Sequence, residues 1–141
     1  MVESAGIQVI ANYLFGLPGD NYASMQKTLD LSLELCTTAW NGYPVIPLPG
    51  SSIYADAIKR QYKIPSHYSG YSFLGYDTLP LPTADLSPEE ILEFRDKAYT
   101  KYHTYKPFLD KVENRFGSVA RENIERMARV QLKRNILESR S

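Results

Sequence analysis

The spacing of apolar residues changes along the chain, and each change marks an element. Residues 7–15, Ile-Gln-Val-Ile-Ala-Asn-Tyr-Leu-Phe, form a nearly unbroken apolar run rich in β-branched and aromatic side chains. Such a run predicts a strand buried on both faces. Gly16-Leu-Pro-Gly19 then turns the chain sharply, and Asp20 or Asn21 caps a helix. Tyr22, Met25, Leu29, Leu33 and Cys36 recur at three- and four-residue spacing, the stripe of a helix that lies on a sheet. Asn41-Gly42 breaks the pattern. Tyr43-Pro-Val-Ile-Pro-Leu48 reads as a second, irregular strand, because Pro44 and Pro47 cannot donate to a ladder. Strand, crossover helix and strand make one right-handed parallel βαβ unit, and Ser51 or Ser52 caps a further helix over residues 53–62.

Helical spacing lapses over residues 63–85, where Pro65, Pro80, Pro82, Gly70 and Gly75 surround Tyr68, Tyr71, Phe73 and Tyr76. So many rings are costly to leave in water, which predicts an ordered loop with one short extended piece rather than a linker. Ser87-Pro-Glu-Glu90 is a strong helix start: Ser87 caps, Pro88 takes the first helical position, and Glu90 completes a capping box. Ile91, Phe94, Ala98, Tyr102 and Tyr105 give this helix an apolar face, and Pro107 ends it. A short helix over residues 108–116 stops at Gly117. A last one runs from its Ser118 cap to residue 137, with Ile124, Ala128, Leu132 and Ile136 on one face. Arg121, Arg126, Arg129 and Lys133 populate the other faces.

The expected class is therefore α/β: one parallel βαβ unit (residues 1–62), an aromatic-rich ordered loop (63–85) and a mainly helical C-terminal extension (86–141). This inventory leaves a deficit. Two parallel strands do not close a sheet, and a strand apolar on both faces needs neighbours on an edge as well as helices above and below. The chain reads as incomplete, either the later part of a longer α/β protein or one that meets its missing strands in another subunit.

Composition narrows the chemistry. An apolar share of 43% with 23% charged residues excludes a disordered chain, and a formal net charge of zero gives no global attraction to nucleic acid or anionic membranes. Residues 115–141 are locally basic, with seven Lys or Arg against three Asp or Glu. Cys36 is the only cysteine, which excludes an internal disulfide and any cluster or zinc site built from several cysteines of this chain. It falls on the apolar stripe of its helix and reads as a buried, inert thiol. His67 and His103 have no partner at ligand spacing, so no metal site is expected. Nothing approaches the roughly 20 apolar residues of a membrane span, and the first residues lack a signal-type core, so a cytoplasmic location is expected. Gly16-x-x-Gly19 lacks the Lys-Ser/Thr of a phosphate loop, and Asp20 reads as a cap rather than an acid catalyst. The aromatic loop and the basic last helix read as core rings and a solvated docked helix, so no nucleic-acid partner is expected.

Two segments together resemble a family. Ile10-Ala-Asn-Tyr-Leu-Phe-Gly-Leu-Pro-Gly-Asp20, followed by Ser24-Met-Gln-Lys-Thr-Leu29, looks like the fifth strand and following helix of radical S-adenosylmethionine enzymes, where the strand ends in a Gly-Leu-Pro-Gly-Glu-Thr type turn. Pro47-Leu-Pro-Gly-Ser-Ser-Ile-Tyr-Ala-Asp-Ala57 is similar to their sixth-strand motif, usually Pro-Gly-Thr-x-Leu-Tyr. The match covers residues 6–60. The remainder resembles more loosely the C-terminal extension of the cobalamin-binding branch.

The resemblance implies a partial (β/α) barrel fragment in which strand ends surround a [4Fe-4S] cluster and S-adenosylmethionine. It places Asn12, Leu14 and Gly16 along the adenosyl group, and gives Pro47 and Leu48 backbone contacts to the adenine edge. Tyr71, Phe73 and Tyr76 would form part of a substrate wall. The departures are also plain. Asn12 stands where a small residue is common, Asp20 replaces Glu, and the three cluster cysteines and the first four strands are missing from this chain. The implied function is that of a C-terminal portion of such an enzyme, with a small-molecule substrate, working with a missing N-terminal barrel half or another subunit. It would bind no cofactor on its own. The alternative is a small non-catalytic binding or assembly protein derived from such an enzyme.

Overall fold

The computed structural model describes residues 2–138. A single turn at Glu3–Ala5 precedes strand β1 (Ile10–Phe15); helix α1 (Tyr22–Leu35) crosses to strand β2 (Ala39–Pro44), and α2 (Ser52–Lys59) follows. A loop with one tight turn at Tyr68–Tyr71 leads into α3 (Pro88–His103), α4 (Lys106–Phe116), α5 (Ser118–Ala128) and α6 (Asn135–Glu138). The strands pair in parallel, from Ile10 opposite Ala39 to Phe15 opposite Pro44. The protein is thus α/β, with a two-stranded parallel sheet, a βαβ unit and a helical remainder.

Local chemistry sets the helix starts where the sequence places them. Asn21 caps α1: its side chain accepts the Ser24 N–H at 3.0 Å, and Ser24 Oγ accepts the Asn21 N–H at 3.1 Å. Ser87 and Glu90 make the same reciprocal pair at α3, which begins with Pro88. Such boxes satisfy amides that a helix cannot pair internally.

The core lies on one side of the sheet. Phe15 packs on Phe94 with centroids 5.4 Å apart, and Trp40 stacks on Tyr102 at 5.4 Å and on Tyr13 at 6.0 Å. Met25 and Leu29 of α1, Ile91 and Ala98 of α3, and Phe108 and Val112 of α4 complete the same cluster. Both α1 and α3 therefore cover the Tyr13, Phe15 and Trp40 face. This corrects the expectation of a strand buried on both faces. Ile10 and Leu14, on the opposite face, are 63% and 47% exposed.

Strand β2 departs from expectation too. It starts at Ala39 and runs through Asn41-Gly42, which the sequence reads as a break. Gly42 is there for its neighbour: a Cβ would lie 2.2 Å from Cη2 of the Trp40 ring. Residues 45–47 follow as a buried extension, with Val45 N–H donating to Phe15 O at 2.9 Å and Val45 O accepting from Leu81 N–H at 3.2 Å.

The C-terminal helix divides. It stops at Ala128, crosses residues 129–134 without helix, and resumes as α6. The break carries Arg134 into the body of the protein, where it is 1% exposed. Its guanidinium donates to Asp96 Oδ2 and Oδ1, each at 2.9 Å, to Gly75 O at 2.9 Å, Phe73 O at 3.2 Å and Thr78 Oγ1 at 3.0 Å. This explains a second correction. The aromatic loop is not held by burying its rings, since Tyr68 is 91% and Tyr76 48% exposed; Arg134 clamps its carbonyls while Thr78, Leu79, Pro80 and Leu81 go inside.

Candidate functional site

The two motif turns sit at the same end of the sheet, after Phe15 and after Pro44, which are opposite each other in register. The first turn is closed by its own acid. Asp20 Oδ2 accepts the Gly16 N–H at 3.1 Å and the Leu17 N–H at 2.9 Å, and Asp20 Oδ1 accepts from Ser24 Oγ at 2.6 Å. Those amides are therefore not open to an external anion. Gly16 itself has φ +84, and a Cβ on it would meet Ile91 Cγ2 at 2.8 Å. Its glycine character serves the turn and the packing of α3.

The second turn is similarly self-contained. Leu48 N–H donates to Ile46 O at 2.9 Å, and Leu48 O accepts from Ser51 N–H at 3.0 Å and from Ser51 Oγ at 2.7 Å. Pro47 is buried, while the Leu48 side chain is 46% exposed. The backbone groups expected to meet an adenine edge are, at Leu48, already committed to the turn.

What the sheet leaves open is its uncovered face. Asn12 and Leu14 lie there beside Ile10, and across the register stand Asn41 and Tyr43. Asn41 Nδ2 donates to Asn12 Oδ1 at 3.1 Å, so two amides form a polar strip between apolar side chains. Tyr43 meets Phe73 at 4.8 Å between centroids, which ties one member of the expected substrate wall to this face. Tyr71 donates its hydroxyl to Pro65 O at 3.3 Å, and Tyr76 to Glu138 Oε2 at 2.8 Å. The structure thus brings Asn12, Leu14 and Phe73 to one region, buries Gly16 and Pro47, holds Tyr71 within its own loop and ties Tyr76 to the C-terminal α6.

The two sheet edges differ. Gly42 O, on the outer edge of β2, accepts Arg95 Nε at 2.7 Å. The outward backbone groups of Ile10, Asn12 and Leu14 meet no backbone partner among the described residues. In a parallel ladder these alternate groups are the ones that a further strand pairs with.

Sequence reasoning missed the polar network beside β2. Arg95, 5% exposed, donates from Nη1 to Asp96 Oδ1 at 2.9 Å and lies 5.4 Å from the Tyr99 ring centroid. A signal existed, because Arg95 sits between Phe94 and Ala98 on the buried stripe of α3, where a cation needs a reason. Arg134 had none, being one of several basic residues near the end of the chain. The basic run is also less free than its count suggests: Arg121 pairs with Asp110, Glu113 and Glu125 at 2.7–3.0 Å.

Titration follows burial. The Cys36 thiol is pushed up by desolvation, as is the Tyr102 phenol despite its 2.8 Å hydrogen bond to Thr37 O. His103 is pushed down by burial, with Arg95 adding to the effect, so it is held neutral against Trp40 and Tyr102. No group of three or more His, Cys, Asp or Glu among the described residues is placed to hold a metal ion. No helix among them is long and apolar enough to cross a membrane. Comparison with family models, curated proteins and solved structures gives no match to this chain.

Proposed function

We propose that the chain forms the closing part of a radical S-adenosylmethionine enzyme barrel, with β1 and β2 in the places of its last two strands. The observation that carries this reading is the asymmetry of the sheet. Both covering helices lie on one face, the other presents Ile10, Asn12 and Leu14, and the outward groups of β1 meet no backbone partner among the described residues, whereas Gly42 O on the β2 edge takes Arg95. A barrel's final strands have this arrangement: helices outside, ligand face inside, and one edge joined to the preceding strand.

A [4Fe-4S] cluster does not fit this chain. Its one cysteine, Cys36, lies just before the start of β2, at the opposite end of the sheet from the two motif turns. An adenosyl group fits the open face as one wall only. There Leu14 offers apolar surface, Asn12 and Asn41 offer amides, and Phe73 extends the wall through Tyr43. The radical chemistry belongs to the cofactors, and the role of these residues is to position and to exclude water.

The test is to express the chain with the segment encoded upstream of it, or with a co-purifying subunit carrying Cys-x-x-x-Cys-x-x-Cys. After anaerobic reconstitution, 5′-deoxyadenosine release under reduction is measured. Release that falls on Leu14→Glu supports the reading. Cluster assembly and cofactor cleavage by this chain alone overturns the reading of it as one part of a barrel, and no release from any assembled form overturns it in favour of a non-catalytic binding protein.

A further inference from the structure

The groove at the outer edge of β2, about 1170 Å³, is lined by Arg95, Lys97 and Lys101 against Glu93 and Asp96, with Arg134 buried behind Asp96. Asp96 is one carboxylate facing two buried guanidiniums: Oδ1 accepts from Arg95 Nη1 and Arg134 Nη2, and Oδ2 accepts from Arg134 Nε, all at 2.9 Å. Carbonyls of Gly42, Phe73 and Gly75 take other N–H groups of the pair. Carbonyl dipoles reduce the surplus charge without cancelling it, and a surplus charge inside a protein is costly.

The two arginines differ in what they have left. Arg134 commits all three nitrogens to protein acceptors, and it is not exposed to the groove. Arg95 commits Nε and Nη1, while its Nη2 makes no hydrogen bond among the described residues and Arg95 lines the groove. The nearby Lys97 is paired with Glu93 at 2.6 Å, which leaves Arg95 as the buried cation with a donor to spare. Around it the walls are mixed: Tyr43, Phe73, Met127, Val130 and the half-exposed Leu132 give apolar surface, Thr100, Lys101 and Gln131 line the remainder, and the buried Trp40 reaches the groove at its edge.

We propose that this groove binds a small organic monoanion, a carboxylate on an apolar body, with Arg95 Nη2 as its hydrogen-bond donor. A phosphate dianion is the poorer match, because the one free guanidinium edge of Arg95 cannot satisfy three charged oxygens and the rings of Tyr43 and Phe73 beside it offer no donor that such an ion needs. The carboxylate completes the charge balance around Asp96, and the body covers Tyr43 and Phe73, beside the buried edge of Trp40. The proposal shares Tyr43 and Phe73 with the open face but does not use the β1 edge, Asn12 or Leu14, so Arg95→Gln and Leu14→Glu separate it from the barrel reading.

Trp40 is the single tryptophan and lines the groove, so its fluorescence reports occupancy. The 141-residue chain is titrated at constant ionic strength with 4-phenylbutyrate, with the neutral 4-phenylbutanamide, and with inorganic phosphate. The acid is expected to give a saturable change with an affinity roughly ten- to a hundredfold above the amide, the weight of one charge-assisted hydrogen bond. Phosphate gives none. Arg95→Gln abolishes the preference for acid over amide. Because that variant also gives up the Gly42 bond, Val130→Asp at the exposed rim is the second: it weakens acid binding several-fold with an unchanged melting temperature. Equal binding of acid and amide, phosphate matching the acid, no saturation at millimolar ligand, or full acid preference in both variants overturns the proposal.

Discussion

Replacing Asp96 with alanine strips the shared counter-charge from two guanidiniums that are 5% and 1% exposed. Three hydrogen bonds of 2.9 Å are lost, and Arg134 keeps only its bonds to Thr78 Oγ1 and to the carbonyls of Phe73 and Gly75. Removing one partner of a buried ion pair costs about 3–5 kcal/mol. The Asp96 side chain is 24% exposed, so water screens part of this, and about 3 kcal/mol is the expectation. Arg134→Met alone leaves Asp96 paired with Arg95 and Gly75 O bonded to Thr78, but strips Phe73 O of its donor, a loss of about 1–3 kcal/mol. In the double variant Arg134 no longer stands buried without its counter-charge and the net charge returns to that of the native cluster, so the losses fall short of their sum by about 2 kcal/mol. Urea unfolding followed by far-ultraviolet circular dichroism and by Trp40 fluorescence measures all three, with coincident transitions required for the comparison. A loss below about 1 kcal/mol for Asp96→Ala, the scale of a surface pair, would refute the reasoning, as would strict additivity.

Three further outcomes follow from the packing. Gly42→Ala places a methyl group against the Trp40 ring and is expected to lose about 1–3 kcal/mol and to shift the Trp40 emission; an unchanged urea midpoint would contradict the close approach. His103 has a depressed folded-state pKa, so below its unfolded value of about 6.5 the unfolded state binds a proton that the native state refuses. Stability is therefore fully present above about pH 6.5 and falls as pH drops toward the lower folded value; His103→Gln should flatten the change in melting temperature between pH 7 and pH 5.5. Leu14→Lys, on the open face, should leave the stability of the isolated chain within about 0.5 kcal/mol while reducing self-association in light scattering; a large loss of stability would mean that this face is covered.

Much of the local structure was readable residue by residue. The Asn21 and Ser87 starts, the βαβ order, and the stripe of Ile91, Phe94, Ala98 and Tyr102 are short-range chemistry, set by caps and helical periodicity. Of the candidate site, the resemblance set Asn12 and Leu14 along a cofactor and Phe73 in a substrate wall; that they stand near one another on the open face comes from strand register and the Tyr43–Phe73 contact, which no local spacing shows.

Which face of β1 is covered was decided elsewhere, because an apolar strand looks the same whether helices pack on one side or both. Only the arrangement of α1 and α3 makes Phe15 core and leaves Leu14 open. Asn41-Gly42 reads as a turn until the Trp40 ring is seen to need the space above Gly42. Arg134 is one basic residue among several in sequence, yet it ends a helix and clamps a loop. Its partner Asp96 lies 38 positions away, and local spacing carries no information about a contact at that distance. The sequence by itself determined the elements and their order; the tertiary structure decided which surfaces were left over, because burial is settled by what packs from far along the chain.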